Sequence, residues 1–261
     1  MHDLKQVQSA FLRNWPISAW PFLMLCCSGG LIKVIYAFGY GYGISMFVQG
    51  CLAYFVHKAR PGSSLLAASL YACYGLRLTW YLYRRQHDDS FISSTHGQNL
   101  EGRMSSTPLM VKLNIVFFVS AVQQATLYVL DMICASRSRR TIRAALSVAF
   151  CGLLLEALSD EQKLAAKAEN PEMPVTTGLF SIIRHPNYLG EILFWLGVSG
   201  ACLASSSPWI RRAAFLAGGP LFMCWVMVGA AARLDEDSLR KYREVPGYQE
   251  YMAATGSLVP R

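Results

Sequence analysis

Long apolar stretches separated by short polar turns follow one another along most of the chain. A membrane-spanning helix needs roughly 20 predominantly apolar residues, and the pattern predicts about seven of them. In chain order the predicted spans are Ile17–Ile32, Tyr36–Val56, Ser64–Tyr83, Leu109–Ile133, Ala144–Leu158, Asn187–Ala204 and Ala213–Ala232. The pattern therefore predicts an all-α fold, a polytopic membrane bundle of about seven transmembrane helices.

Three polar segments interrupt this pattern. A hydrophilic loop, Arg84–Thr107, follows the third predicted span. Ser159–Thr177 forms a polar connector that begins as a helix and contains Pro171 and Pro174. Arg233–Tyr251 is a charged tail, which we also expect to be helical. We treat residues 1–261 as a single membrane domain.

Composition supports a membrane protein. Hydrophobic residues make up 53% of the chain and charged residues only 15%, and the mean hydropathy is +0.29. These values exclude a disordered chain and argue against a soluble one. The net charge of +8 sits on an apolar chain, which favours membrane lipids and an anionic cofactor as partners over nucleic acid. The eight cysteines form no CxxC pair, so we expect neither a disulfide framework nor a metal site.

Positive charge does not orient the predicted bundle. Lysine and arginine are spread almost evenly over the two sides. The one local cluster of arginines, Arg137–Arg143, argues against a cytosolic position for the connector and the tail.

Candidate chemistry is densest in Thr177–Glu191. Five polar residues fall there within eight positions: Arg184, His185, Asn187, Tyr188 and Glu191. Pro186 marks a helix start, and Arg184 just ahead of it suits a phosphate or carboxylate. Asn187 and Glu191 are four residues apart and share a helix face, where they could grip a ribose or carboxamide. The alternative is an arginine–histidine pair at the membrane surface, with Glu191 bound to a neighbouring helix.

Two further groups of polar residues flank this segment. Glu156, Asp160 and Lys163 fall on one helix face, either as part of a site or as an ordinary solvated helix end. Arg233 and Tyr242 belong to the tail, which is either a solvated helix or a lid that supplies cations and aromatic rings.

The third predicted span carries Arg77 and Tyr81, four residues apart on one face. A tyrosine hydroxyl in a membrane cavity can hydrogen-bond a ketone oxygen and act as a general acid. The alternative is an aromatic belt at the membrane surface. The chain has no GxGxxG, P-loop, GxSxG or HExxH motif, so a soluble-type dinucleotide site is not predicted.

The run RHPNYLGE, Arg184–Glu191, resembles a membrane family that includes the steroid 5-alpha-reductases and the sterol C14 reductases. The isoprenylcysteine carboxyl methyltransferases are more distant relatives. Three other stretches are similar to the family: Glu156–Lys163, Gly75–Leu78 and the tail from Pro246. The resemblance covers about residues 65–260.

This resemblance implies a seven-helix fold with a cytosolic tail. It implies that residues 144–261 bind NADPH and that the spans within residues 1–143 receive the substrate. The cofactor-binding residues it implies are Glu156, Asp160, Lys163, Arg184, His185, Asn187, Tyr188, Glu191, Arg233 and Tyr242. Tyr81 with Arg77 would polarise the substrate carbonyl. Gln49 matches the glutamine of a Gln–Glu pair in those reductases, but Gly50 follows it, which argues against a steroid 3-ketone.

We therefore expect an NADPH-dependent reductase of a carbon–carbon double bond in a hydrophobic lipid or steroid-like enone. It would lie in the endoplasmic reticulum of a eukaryote or the inner membrane of a bacterium. The alternative is a methyltransferase that uses S-adenosylmethionine. The combination of Asn187 and Glu191 resembles the reductase pattern and argues against this alternative. A third hypothesis is a non-enzymatic protein that binds a sterol or cofactor and regulates a partner.

Overall fold

The computed structural model describes residues 14–58, 62–87, 107–137 and 140–261. Its main helices are α1 (Trp15–Cys27), α2 (Tyr42–Val56), α3 (Ser63–Gln86), α4 (Leu109–Cys134), α5 (Arg140–Glu169), α6 (Pro186–Leu203), α7 (Trp209–Gly218), α8 (Pro220–Lys241) and α9 (Tyr248–Ala254). No β-strand occurs in these ranges, where Ile183 and Gly256 form an isolated bridge. The all-α prediction is confirmed.

Successive long helices run in opposite directions, so the bundle has two distinct ends. Asp131 near the end of α4 accepts a hydrogen bond from Trp15 at the start of α1, with the two atoms 2.7 Å apart. Asn187 at the start of α6 donates to Asp160 near the end of α5 over 3.3 Å. We call these the Asp131 end and the Asp160 end.

Three helical segments are long and apolar enough to cross a membrane: α4, α5 and the combined α7–α8. Their outer faces expose large apolar side chains, among them Phe117, Leu158 and Trp225, which is 70% exposed. Such surface is costly in water and suits contact with lipid chains. These helices therefore indicate a membrane protein.

The helix boundaries depart from the predicted spans at glycine and proline. The first span is regular only to Cys27 and continues as a 3₁₀ turn, Ser28–Leu31. The last begins four residues earlier than predicted, at Trp209, because Pro208 suits the position before a helix. It then breaks at Gly219, whose non-helical backbone conformation (φ −121°, ψ −99°) separates α7 from α8.

The connector begins as a helix and the tail is largely helical, as the sequence pattern predicted, and the tail also packs back against the bundle. Helix α5 runs through the start of the connector to Glu169, over residues that favour helix. Helix α8 likewise takes in the first part of the tail. Beyond α9 the chain returns to the bundle, where Gly256 and Ser257 carbonyls accept hydrogen bonds from the backbone N–H groups of Arg184 and His185.

Glycine lets α5 and α6 pack backbone against backbone. A Cβ atom at Gly190 would lie 2.5 Å from the Glu156 nitrogen, and one at Gly152 would lie 2.4 Å from the Phe194 nitrogen. Small residues permit such close approach between membrane helices. The approach brings the polar residues at the end of α5 against those at the start of α6.

We expect Gly190→Ala to destabilise the protein, because the added methyl group meets the α5 backbone. Gly229→Ala is the matched control, since a Cβ there meets only Arg233 Nη1 at 3.7 Å and gains the same helix propensity. Thermal unfolding in detergent should show a loss of about 1–3 kcal/mol for Gly190→Ala. Equal midpoints for the two variants would contradict the close approach.

Candidate functional site

A cluster of charged side chains lies inside the bundle near the Asp160 end. Arg77 of α3 donates to Asp160 through Nη1 at 2.5 Å and to Glu156 through Nη2. Both carboxylates are buried, and Asn187 also donates to Asp160. Buried charges require such pairing. The structure therefore brings together one predicted catalytic residue and three predicted cofactor-binding residues.

A second buried cluster surrounds Glu191. Its Oε1 atom lies 3.0 Å from the Tyr42 hydroxyl and 3.4 Å from Trp195 Nε1. The Tyr42 and Tyr74 hydroxyls are 3.1 Å apart, and the Tyr74 ring lies 5.5 Å from the Arg77 guanidinium. The two clusters therefore form one continuous polar region between α2, α3, α5 and α6.

Arg184 and His185 share a carboxylate of the protein itself. Arg184 donates through Nε and Nη2 to the two oxygens of Asp235, at 2.8 and 2.9 Å, and through Nη1 to the Met252 and Thr255 carbonyls. His185 Nε2 lies 2.8 Å from Asp235 Oδ1. The hydrogen bonds to Asp235 raise the pKa of Arg184, whereas burial lowers the pKa of His185. A carboxylate thus occupies the guanidinium fork that we predicted for a phosphate.

A cavity of about 640 Å³ opens beside this pair at the Asp160 end. We call it the tyrosine cavity, because Tyr81, Tyr188, Tyr242, Tyr248 and Tyr251 line it. Its wall contains six predicted site residues: Tyr81, Lys163, Arg184, His185, Tyr188 and Tyr242. Aromatic walls with a few cations suit an anionic ligand that carries planar rings.

Among the three lysines of this cavity, Lys163 is the best placed for a ligand. Lys167 donates to the Pro171 carbonyl and to the Tyr242 hydroxyl, and Lys241 pairs with Glu172. No described residue forms an ion pair with Lys163 within 4.0 Å, although the Asp160 carboxylate attracts it from a greater distance. A lysine ammonium in that situation can bind a phosphate group.

Two predicted residues lie outside the tyrosine cavity and the polar region. Gln49 is buried against α4, where it donates to Gln123 over 2.9 Å and accepts from Thr126 over 3.0 Å. Arg233 is exposed and does not line the cavity. The structure therefore places Gln49 away from the other predicted site residues, and it places Arg233 outside the cavity wall but within electrostatic reach of Tyr188.

Sequence reasoning missed Tyr42, Tyr74 and Asp235. Tyr74 precedes Arg77 by three residues, so helical periodicity could have placed it on the Arg77 face. Asp235 lay within the charged tail, where nothing distinguished it from its acidic neighbours. Tyr42 had no local signal, because it reaches Glu191 only through the packing of distant helices.

Arg77→Gln is expected to destabilise the protein by about 3–5 kcal/mol, because it leaves two buried carboxylates without a counter-charge. Arg84→Gln is the control on the same helix. Arg84 pairs with exposed Glu161, and such surface pairs contribute at most about 1 kcal/mol. Unfolding midpoints in detergent measure both variants, and similar small losses would argue against the buried cluster as a structural anchor.

Comparison with known proteins gives one result for this chain. A family model described as "Protein of unknown function (DUF1295)" matches residues 36–255. The matched range contains the buried charged cluster, the Glu191 cluster and the residues that line the tyrosine cavity. No curated protein and no solved structure gives a significant match.

Proposed function

We propose that this chain, which belongs to the DUF1295 family of membrane proteins related to steroid 5-alpha-reductase, is an NADPH-dependent reductase. Its substrate would be a lipid or steroid-like enone whose carbon–carbon double bond is reduced. The observation that carries the proposal is the position of the tyrosine cavity next to the polar region. Tyr81 lines the cavity one helical turn after Arg77, and Lys163 lines it three residues after Asp160.

The residues of the tyrosine cavity fit NADPH. The cofactor carries phosphate groups and two planar ring systems, and a cavity of about 640 Å³ lies within the range of cofactor sites. Lys163 would hold a phosphate, and the Tyr188 and Tyr242 rings would flank the planar groups. Arg184 would contribute only by sharing its guanidinium between Asp235 and the ligand.

NADPH supplies the hydride when it is bound, and the protein orients the reactants. Tyr81 is 9% exposed in the cavity wall, and Arg85 hydrogen-bonds to its oxygen. Because Arg85 is the donor in that hydrogen bond, the Tyr81 hydroxyl can donate its own proton to the substrate carbonyl. This donation would make the conjugated double bond electron-poor. Arg77, held by Glu156 and Asp160, positions α3 and so aligns Tyr81.

We further propose that the bundle crosses the membrane about seven times, with its Asp160 end and the tail in the cytosol. The alternating helix directions and the lipid-type outer faces support this topology. NADPH would enter from the cytosol and the substrate from the bilayer. The exposed residues Arg137, Arg140 and Arg143 lie at the opposite end, against the usual positive-inside preference. Site-specific labelling of cysteines introduced at both ends decides the orientation.

Tyr81→Phe should lower turnover about a hundredfold or more, the usual contribution of a general acid. NADPH affinity should stay unchanged, because the phenyl ring keeps its place in the wall. Tyr83→Phe is the control, since Tyr83 is an exposed residue at the same end of α3. NADPH oxidation with a panel of lipid enones measures turnover. A fully active Tyr81→Phe enzyme would remove the assigned role.

Lys163→Gln should weaken NADPH binding about tenfold, since a hydrogen bond between charged groups is lost. Lys112→Gln is the control, because Lys112 lies outside the cavity and donates to the Ile32 carbonyl. A thermal-shift titration with NADPH measures affinity, because a ligand that binds the folded state raises its midpoint. Equal NADPH affinity in the two variants would show that Lys163 does not bind a phosphate of the cofactor.

The same titration with S-adenosylmethionine tests the competing function. The Arg184–His185–Pro186 run is shared with the methyltransferase relatives of the resembled family. Stabilisation by S-adenosylmethionine alone would assign the site to methyl transfer. NADPH binding without oxidation of any lipid offered would favour a non-enzymatic regulator.

A further inference from the structure

A second cavity, of about 680 Å³, lies at the Asp131 end of the bundle, away from the tyrosine cavity. Helices α1, α4 and α7 and the end of α2 contribute to its wall. Its wall contains one histidine, one carboxylate and one guanidinium: His57, Asp131 and Arg211. It belongs to no part of the proposed reductase site.

The two oxygens of Asp131 differ in how closely their partners approach. Its Oδ1 atom accepts from Trp15 Nε1 at 2.7 Å and lies 3.0 Å from His57 Nε2. Its Oδ2 atom lies 3.5 Å from Arg211, which is too long for a good hydrogen bond. A carboxylate has about four acceptor positions, so Oδ2 retains acceptor capacity for a cationic N–H donor.

Arg211 likewise retains donors. Its side chain is 43% exposed, and its guanidinium lies over the Tyr128 ring, 5.5 Å from the ring centroid. Of its five N–H donors, one nitrogen approaches Asp131. A guanidinium in this state suits a phosphate, which it can hold with two parallel hydrogen bonds.

Apolar surface continues from the cavity to the outside of the bundle. Ile17 belongs to the wall and is 62% exposed, while Trp209 and Ile210 are exposed beside Arg211. A soluble phosphate ester gains nothing from such surface. A lipid would place its headgroup in the cavity and its acyl chains along these residues.

We infer that this cavity binds the headgroup of a phospholipid that carries both a phosphate and a primary ammonium, as phosphatidylethanolamine does. Arg211 holds the phosphate, and Asp131 Oδ2 accepts from the ammonium. A headgroup with a phosphate alone competes with Asp131 for Arg211 and supplies no cation in return. A choline headgroup offers no N–H donor to Oδ2.

Native mass spectrometry of the full-length protein in detergent tests this inference. Phosphatidylethanolamine, phosphatidylglycerol and phosphatidylcholine with identical acyl chains are titrated in parallel with glycerophosphoethanolamine. We expect one phosphatidylethanolamine to bind about tenfold more tightly than either other lipid, because each of those loses a charge-assisted contact. Glycerophosphoethanolamine should bind more weakly still, since it has no acyl chains.

Two variants locate the site. Arg211→Gln should lower phosphatidylethanolamine affinity about tenfold through the lost phosphate contact. Arg143→Gln, at an exposed arginine of the same end that does not line the cavity, should leave the affinity unchanged. Equal binding of the three lipids, or equal loss in the two variants, would overturn the inference. If glycerophosphoethanolamine bound as tightly as phosphatidylethanolamine, the inference that the ligand is a lipid would be overturned.

Discussion

The interaction between Arg77 and the carboxylates of Glu156 and Asp160 constrains the arrangement of the bundle. Three charges have been taken out of water, and each is stable there only while the others stay in place. Helix α3 is thereby tied to the end of α5. Asp160 also binds Asn187, so the start of α6 is tied to the same point.

Backbone packing and charge pairing act together around this point. The glycines between α5 and α6 bring the two helices close enough for Asn187 and Glu191 to reach the polar region. Without that contact the carboxylates of α5 would face a gap or lipid. The region therefore combines close backbone packing with an ion cluster.

The sequence was a good guide to helices and a partial guide to the site. Apolar stretches predicted the helical regions, but they did not show that Gly219 divides the last one or how far into the connector α5 continues. Helical spacing correctly placed Glu156 and Asp160 on one face. It could not reveal that Tyr42 reaches Glu191 across 149 residues, because that contact depends on how the helices pack.

The same limit applies to charged residues whose partners are distant in sequence. Arg184 looked like a ligand-binding residue because of its position ahead of a helix. Its partner Asp235 lies 51 residues away and carries no local signal. Gln49 looked like part of the site and instead binds Gln123 of α4. Spacing identifies the residues that need partners, and tertiary structure selects those partners.

The return of the chain after α9 has a consequence for the order in which the protein assembles. The backbone N–H groups of Arg184 and His185 are paired with the carbonyls of Gly256 and Ser257, which the ribosome adds only after α6 to α9. The helices can therefore insert one after another during synthesis. The wall of the tyrosine cavity includes Tyr248 and Tyr251 of α9, so the cavity can be completed only after these last residues of its wall have been synthesised.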